Sequence, residues 1–244
     1  MLNHLFNGKV GFAWGVRCLA FIALGMLIIA NLIMKPRLPR RPSPSKEENI
    51  KLLKKILTDT PYHFAIIGFV LVYWGLFFPF FYLQLFGILH GINKTLAFYS
   101  IAILNVASLF GRVIPNLAAD HYGPMNIVGP SSLIAGILIF AMFGAKTVAG
   151  FIVFAILYGL ALSLAGFTMF ADHVSEVGIR NGIVCWALSF ALLTGNPIVG
   201  SLLHVPEYRW ERPIIFCGIV IIVGAIFVMI SRNMLAKKRG VWKV

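Results

Sequence analysis

Seven apolar runs, each about as long as a bilayer is thick, divide this chain. They fall at roughly 11–34, 63–88, 96–118, 125–145, 148–170, 182–203 and 213–231. A spanning helix needs about 20 apolar residues, and a backbone in hydrocarbon can satisfy its hydrogen bonds only as a helix or a closed barrel. Runs this long select the helix. Composition agrees. The chain is 59% hydrophobic and 12% charged, against about 45–50% and about 25% in soluble domains. The expected fold is all-α, a polytopic membrane protein with about seven transmembrane helices and the lipid bilayer as its solvent. The first run is too long for the apolar part of a signal peptide, and MKPRLPRR follows it rather than a small-residue cleavage site.

The net charge is +13. The basic residues lie in blocks between the apolar runs, the pattern that orients membrane helices. No aromatic and basic surface motif accompanies them, so nucleic-acid binding is not expected. The one long connection, 35–62, opens with a stretch holding four prolines and five basic residues over 35–46. Such a stretch reads as extended linker. Then comes KEENIKLLKKILTDT, where Ile50, Leu53 and Leu57 recur at helical spacing, with Glu47 and Glu48 in the first turn. This predicts an amphipathic helix at the membrane surface. Thr60 and Pro61 read as the cap and first position of the next helix.

Six helices separate linker and tail, which puts both on one side. That side holds fifteen of the Lys and Arg residues, including Arg112 and Arg180; the other holds Lys94, Lys146, Arg209 and Arg212, with Lys9 and Arg17 beside the first run. The linker and C-terminus are therefore expected in the cytoplasm. Seven helices with an outside N-terminus also describe a receptor. A long basic connection after one helix, followed by six closely joined helices, looks instead like the second half of a twelve-helix transporter.

Chemistry is sparse. Cys18, Cys185 and Cys217 lie inside apolar runs and form no disulfide or metal pattern. All eight acids fall in connections or at helix ends, and the histidines lie near ends as well. No convergent acids, histidines or metal set mark an enzyme. No cofactor or metal is implied, and no buried proton carrier is evident.

Several stretches carry a family resemblance. NLAADHYGP after the third run is similar to the loop motif of the major facilitator superfamily, with Asp120, His121 and Gly123 matching its later part. Asn116 stands where that motif commonly has Gly, and His121 where it has Arg. More narrowly, GFAWGVR (11–17), KPRLP (35–39), YWGLFFPFFYLQLFGILHGI (73–92), FGRVIPNLAADHYGPMN (110–126), FAILYG (154–159), LTGNPIVGSLL (193–203) and KKRGVWKV resemble the fungal branch of the monocarboxylate porter family. The resemblance implies a domain order. Residues 1–34 would be the last helix of an N-terminal half whose five earlier helices are missing. Residues 35–62 would be the cytoplasmic linker, 63–232 the six-helix C-terminal half, and 233–244 a basic tail. It also implies transport of a small organic anion, a monocarboxylate or, in related fungal carriers, riboflavin or a secondary metabolite. The plasma membrane is the expected location, ahead of the vacuole. A half alone lacks the second wall of the site that such carriers place between their repeats. The alternative is therefore an inactive half-transporter, or one that needs a partner half.

Arg112 is the residue that most needs a reason. If Asp120 marks the cytoplasmic surface, Arg112 lies eight residues deeper, roughly 12 Å along a helix. A charge there faces a cavity or a partner rather than lipid. Asn105 and Ser108 stand seven and four residues before it, on one helical face. A guanidinium can grip a carboxylate bidentately. The other reading is snorkelling to the headgroups or pairing with Asp120 or Glu176. The family resemblance favours the first, because an arginine in a similar stretch is associated with substrate. The acid the family carries one turn earlier is Ser108 here.

The second run holds an aromatic stripe around Pro79, which should kink the helix. Tyr73 and Tyr82 are its expected cavity members, since their hydroxyls need partners. Asn196 with Pro197 reads as a helix distortion. Arg180 and Asp120 are candidates for a charge pair that opens and closes a cytoplasmic gate.

Overall fold

A computed structural model describes residues 11–35, 46–161, 174–204 and 206–242. Expectations that rest on the proline-rich linker, on the second part of the 148–170 run, or on Asp172 and His173 lie outside the described residues. The chain divides into two units, Met1–Lys46 and Glu47–Val244.

The first unit holds α1, Gly11–Ile33. It is apolar around its whole circumference, as a membrane span requires. Arg17 lies over the ring of Trp14, 4.9 Å from its centroid, a pairing suited to the headgroup level.

The second unit is helical throughout its described part. It comprises α2 (Lys46–Leu57), α3 (Thr60–Leu76), α4 (Phe78–Leu89), α5 (Lys94–Tyr122), α6 (Pro124–Ala141), α7 (Val148–Ala161), α8 (Val174–Leu203) and α9 (Glu211–Arg239). A 3₁₀ turn, Met142–Gly144, extends α6. Counting α3 with α4 as one span, the described residues contain six helices long and apolar enough to cross a membrane, α1 included, besides the shorter α7.

The aromatic run breaks where expected. The α3 helix stops at Leu76 and α4 starts at Phe78, with Pro79 in its first turn. Proline has no N–H to return to the preceding turn. The Leu76 carbonyl accepts a hydrogen bond from the buried Tyr158 hydroxyl of α7 at 2.6 Å. The break is thus satisfied inside the protein, as hydrocarbon demands. By contrast, α8 continues through Pro197 as one helix. The cap of α3 is displaced from expectation by one residue. Asp59 takes the N-cap position with Thr60 and Pro61 following, and the Asp59 side chain makes no capping bond.

Close packing holds the unit together. The α9 helix lies against α3 and α6, α8 against α3, and α5 against α7 and α4. Lipid is as apolar as leucine, so helices here are held by close approach more than by the hydrophobic effect. Gly68 of α3 and Gly224 of α9 make the closest approach of that pair. A Cβ at Gly68 would stand 2.8 Å from the Gly224 carbonyl oxygen, and one at Gly224 would stand 2.6 Å from that of Gly68. Gly111 of α5 does the same for α7, where a Cβ would collide with the Leu160 carbonyl. The glycine beside Arg112 is therefore a packing residue.

Two apolar cores result. One holds Leu83, Phe86, Tyr158 and Ile214. The other holds Tyr62, Phe69, Val128 and Val228, together with Ile56 of α2. The amphipathic helix therefore sets Ile56 into the bundle, while Ile50, Leu53 and Leu57 stay exposed.

Gly68→Ala should cost about 1–3 kcal/mol, the range for overpacking, and lower the melting temperature of the detergent-solubilised chain. Gly182→Ala, where nothing lies within 4 Å of the added methyl, should leave it unchanged. Equal melting of the two variants would contradict the close-approach account.

Candidate functional site

The α5 helix is 29 residues long, roughly 43 Å. It starts at Asn93, whose side chain accepts from the Thr95 N–H at 2.9 Å, a regular N-cap. It ends at Gly123, whose φ of +93° suits glycine. Asp120 and His121 of the loop motif thus sit in the last helical turn, and Gly123 alone is the turn into α6. Because the helix is continuous from Arg112 to Asp120, the rise of roughly 12 Å between them holds.

Leu104, Ala107, Ser108 and Gly111 are buried, and α7 packs on this part of the helix. Asn105 and Arg112 are exposed on the unit. Two residues before Arg112, Phe110 points the other way around the helix. It borders an apolar groove of about 600 Å³ with Tyr99, Val106, Ile156 and Leu160. The groove is therefore not the arginine's site. Arg112 occupies a separate edge of the helix, while Tyr73 of α3 is partly buried and packed against both apolar cores.

The expected set is only partly assembled. Asn105 and Arg112 share the exposed edge. Ser108 is buried at its border, and its hydroxyl bonds the Asn105 carbonyl at 2.8 Å. The Asn105 amide donates to the Ile101 carbonyl at 2.9 Å. Tyr82 lies beside α8, its hydroxyl 3.1 Å from where a Cβ of Gly200 would be.

Arg180, a candidate gate charge, is buried in an ion cluster. It is 1% exposed and Glu176, one turn earlier, is 3% exposed. Its guanidinium reaches Asp59 at 2.9 Å and Glu176 at 3.2 Å. Lys55 of α2 reaches Glu176 at 2.9 Å, and Lys238 of α9 reaches Asp59 at 2.8 Å. Tyr62 donates to the Arg180 carbonyl at 2.6 Å, with its ring 5.1 Å from the guanidinium. This cluster ties α2, α3, α8 and α9 together at one end of the bundle. Glu176, one of the alternative partners considered for Arg112, is engaged here.

Burial alone would push the Asp59 carboxyl up. Hydrogen bonds from Lys238 and Arg180, with their charges, outweigh it and hold the carboxyl below its usual range. The cluster was not anticipated, although the spacing of Glu176 and Arg180 in SEVGIR is that of a helical ion pair.

A second polar tie lies nearby. Arg232 of α9 donates to the Asn126 side chain and, at 3.2 Å, to the Trp242 carbonyl. Asn126 also donates to that carbonyl at 3.1 Å. The turn at Gly240, with φ of +67°, folds the start of the tail back onto the α5–α6 corner.

A bundle of spanning helices with a buried charge cluster at one end and an exposed arginine part-way along one span has the form of half a membrane carrier. No protein-family model matches the chain. The MFS-type transporter pynF of Aspergillus niger is 34% identical over 100% of this chain and 55% of its own length. The aspyridones efflux protein apdF of Emericella nidulans is 36% identical over 92% of this chain and 46% of its own. The agnestins efflux protein AgnL12 of Paecilomyces divaricatus is 36% identical over 95% and 53%. The chain belongs to the major facilitator superfamily, as a C-terminal half. It spans about half the length of these curated relatives.

Arg180→Met should destabilise the chain by about 3 kcal/mol, because two buried carboxylates lose their shared cation. Asp59 has a depressed folded pKa, so its contribution is present above the unfolded carboxylate value and is lost as pH falls through the folded one. Melting temperature should therefore drop below about pH 4, and Asp59→Asn should flatten that drop. An identical acid profile in the variant would contradict the cluster's role.

Proposed function

We propose that this chain forms one half of a facilitator that moves a small organic anion across a membrane by alternating access, with Arg112 holding the carboxylate. The observation that supports this most is the position of Arg112. It lies roughly 12 Å along a continuous helix from Asp120, on an exposed polar edge that includes Asn105. A guanidinium there offers a planar pair of donors to a carboxylate. Asn105 shares the edge, Ser108 shapes its border through the helix backbone, and Tyr73, Tyr82 and Asn196 would line the path between α3 and α8. The opposing wall would come from an N-terminal half of the kind that the relatives' length allows for. Without one, this chain would not carry substrate.

Two relatives bear names that assign them efflux of aspyridones and agnestins. We therefore extend the substrate class from simple monocarboxylates to organic acids of secondary metabolism. Direction follows the same reading: export, with the basic linker and tail in the cytoplasm and the plasma membrane as its site.

The test is transport of labelled organic acids by the complete carrier containing this half. Arg112→Ala should lower transport by about 100-fold, as expected when the charge partner of a desolvated carboxylate is removed. Arg112→Lys should retain part of it, because one donor direction of two survives. Unchanged rate and affinity in both variants would overturn the assignment.

A further inference from the structure

A cup of about 600 Å³ opens at the end of the bundle opposite the Arg180 cluster, where α4 ends and α9 begins. We infer that it is a second binding site, for a carboxylate with an aromatic or similarly flat apolar body. It is independent of Arg112. Its wall is aromatic: Phe86 and Trp210 meet edge to face at 5.0 Å, and the His90 ring lies 4.1 Å from Phe86. Both Phe86 and Trp210 are buried. The His90 Nδ1 lies 2.9 Å from the Phe86 carbonyl, a contact that orients the ring. Phe143, which also lines the cup and is exposed, adds the accessible ring that a flat apolar body can contact.

The rim is cationic. Lys146, Arg209 and Arg212 stand against two acids, Glu207 and Glu211. Glu207 takes Arg209 at 2.7 Å. Glu211 stands in the first turn of α9, where the helix's own N-terminal charge favours an acid. Among the described residues, Lys146 and Arg212 are in no ion pair. Two exposed cations above an aromatic wall suit an anion with an apolar body.

The loop that closes the cup is built at a cost. His204 and Tyr208 both have positive φ, 52° and 48°, without being glycine. Backbone bonds hold them there, with the Arg209 N–H on the Leu203 carbonyl at 2.9 Å and the Tyr208 N–H on that of His204 at 3.1 Å. Non-glycine residues persist in this region only where surroundings over-determine them, often at ligand clamps.

Trp210 supplies the readout. The probe is 4-nitrobenzoate, added to the detergent-solubilised chain, with uncharged 4-nitrobenzyl alcohol as its comparison. The acid should quench saturably, and Trp210→Phe should remove the saturable part. The double variant Lys146→Ala and Arg212→Ala changes only exposed side chains. It should bind the acid roughly tenfold more weakly, the loss expected for charge-assisted contacts. Equal affinity for the alcohol, unchanged affinity in the double variant, or saturable quenching that survives Trp210→Phe would each overturn the site. None of these results bears on Arg112, which is read by transport.

Discussion

Lipid gives helices little reason to leave it for one another, so this bundle depends on contacts closer than lipid can make. The approach of α3 to α9 at Gly68 and Gly224 is the most important of these. With no side chain between the backbones, the two helices gain dispersion along their length. The other neighbours are then placed around that pair: α8 on α3 and α6 on α9. Gly111 repeats the device between α5 and α7, which leaves the neighbouring Arg112 on the outward edge of its helix.

Polar ties finish what packing begins, and they are concentrated at one end. The cluster of Asp59, Glu176, Arg180, Lys55 and Lys238 joins the linker helix, two spans and the end of α9. Buried ion pairs are poor sources of net stability but costly to break. Here they fix the position of α2 and the end of α9, the segments that continue into linker and tail. Arg232 adds a tie to the α5–α6 corner through Asn126. The loop motif at Gly123 is therefore anchored on both sides.

Much of this was legible because a bilayer makes sequence informative. Apolar length alone marked the spans, the proline at 79 marked the break, and Gly123 marked the turn into α6. The continuity of α5 past Asp120 was not legible, because polar residues beyond the hydrocarbon leave no periodic signal. The burial of Arg180 was not legible either, because its partner Asp59 is 121 residues away in sequence. The proposed anion site was half legible. The spacing of Asn105, Ser108 and Arg112 put them near one face, but only packing against α7 separates the buried serine from the exposed pair.

The proposal turns on whether Arg112 faces water or lipid in the assembled carrier. Thiol accessibility decides this most directly. In a carrier whose Cys18, Cys185 and Cys217 are replaced by alanine, Arg112→Cys is exposed to a membrane-impermeant methanethiosulfonate in sealed vesicles. The account predicts labelling that an added organic acid slows. A cysteine that stays unlabelled from both sides of the membrane would place position 112 against lipid or protein, and would contradict the account.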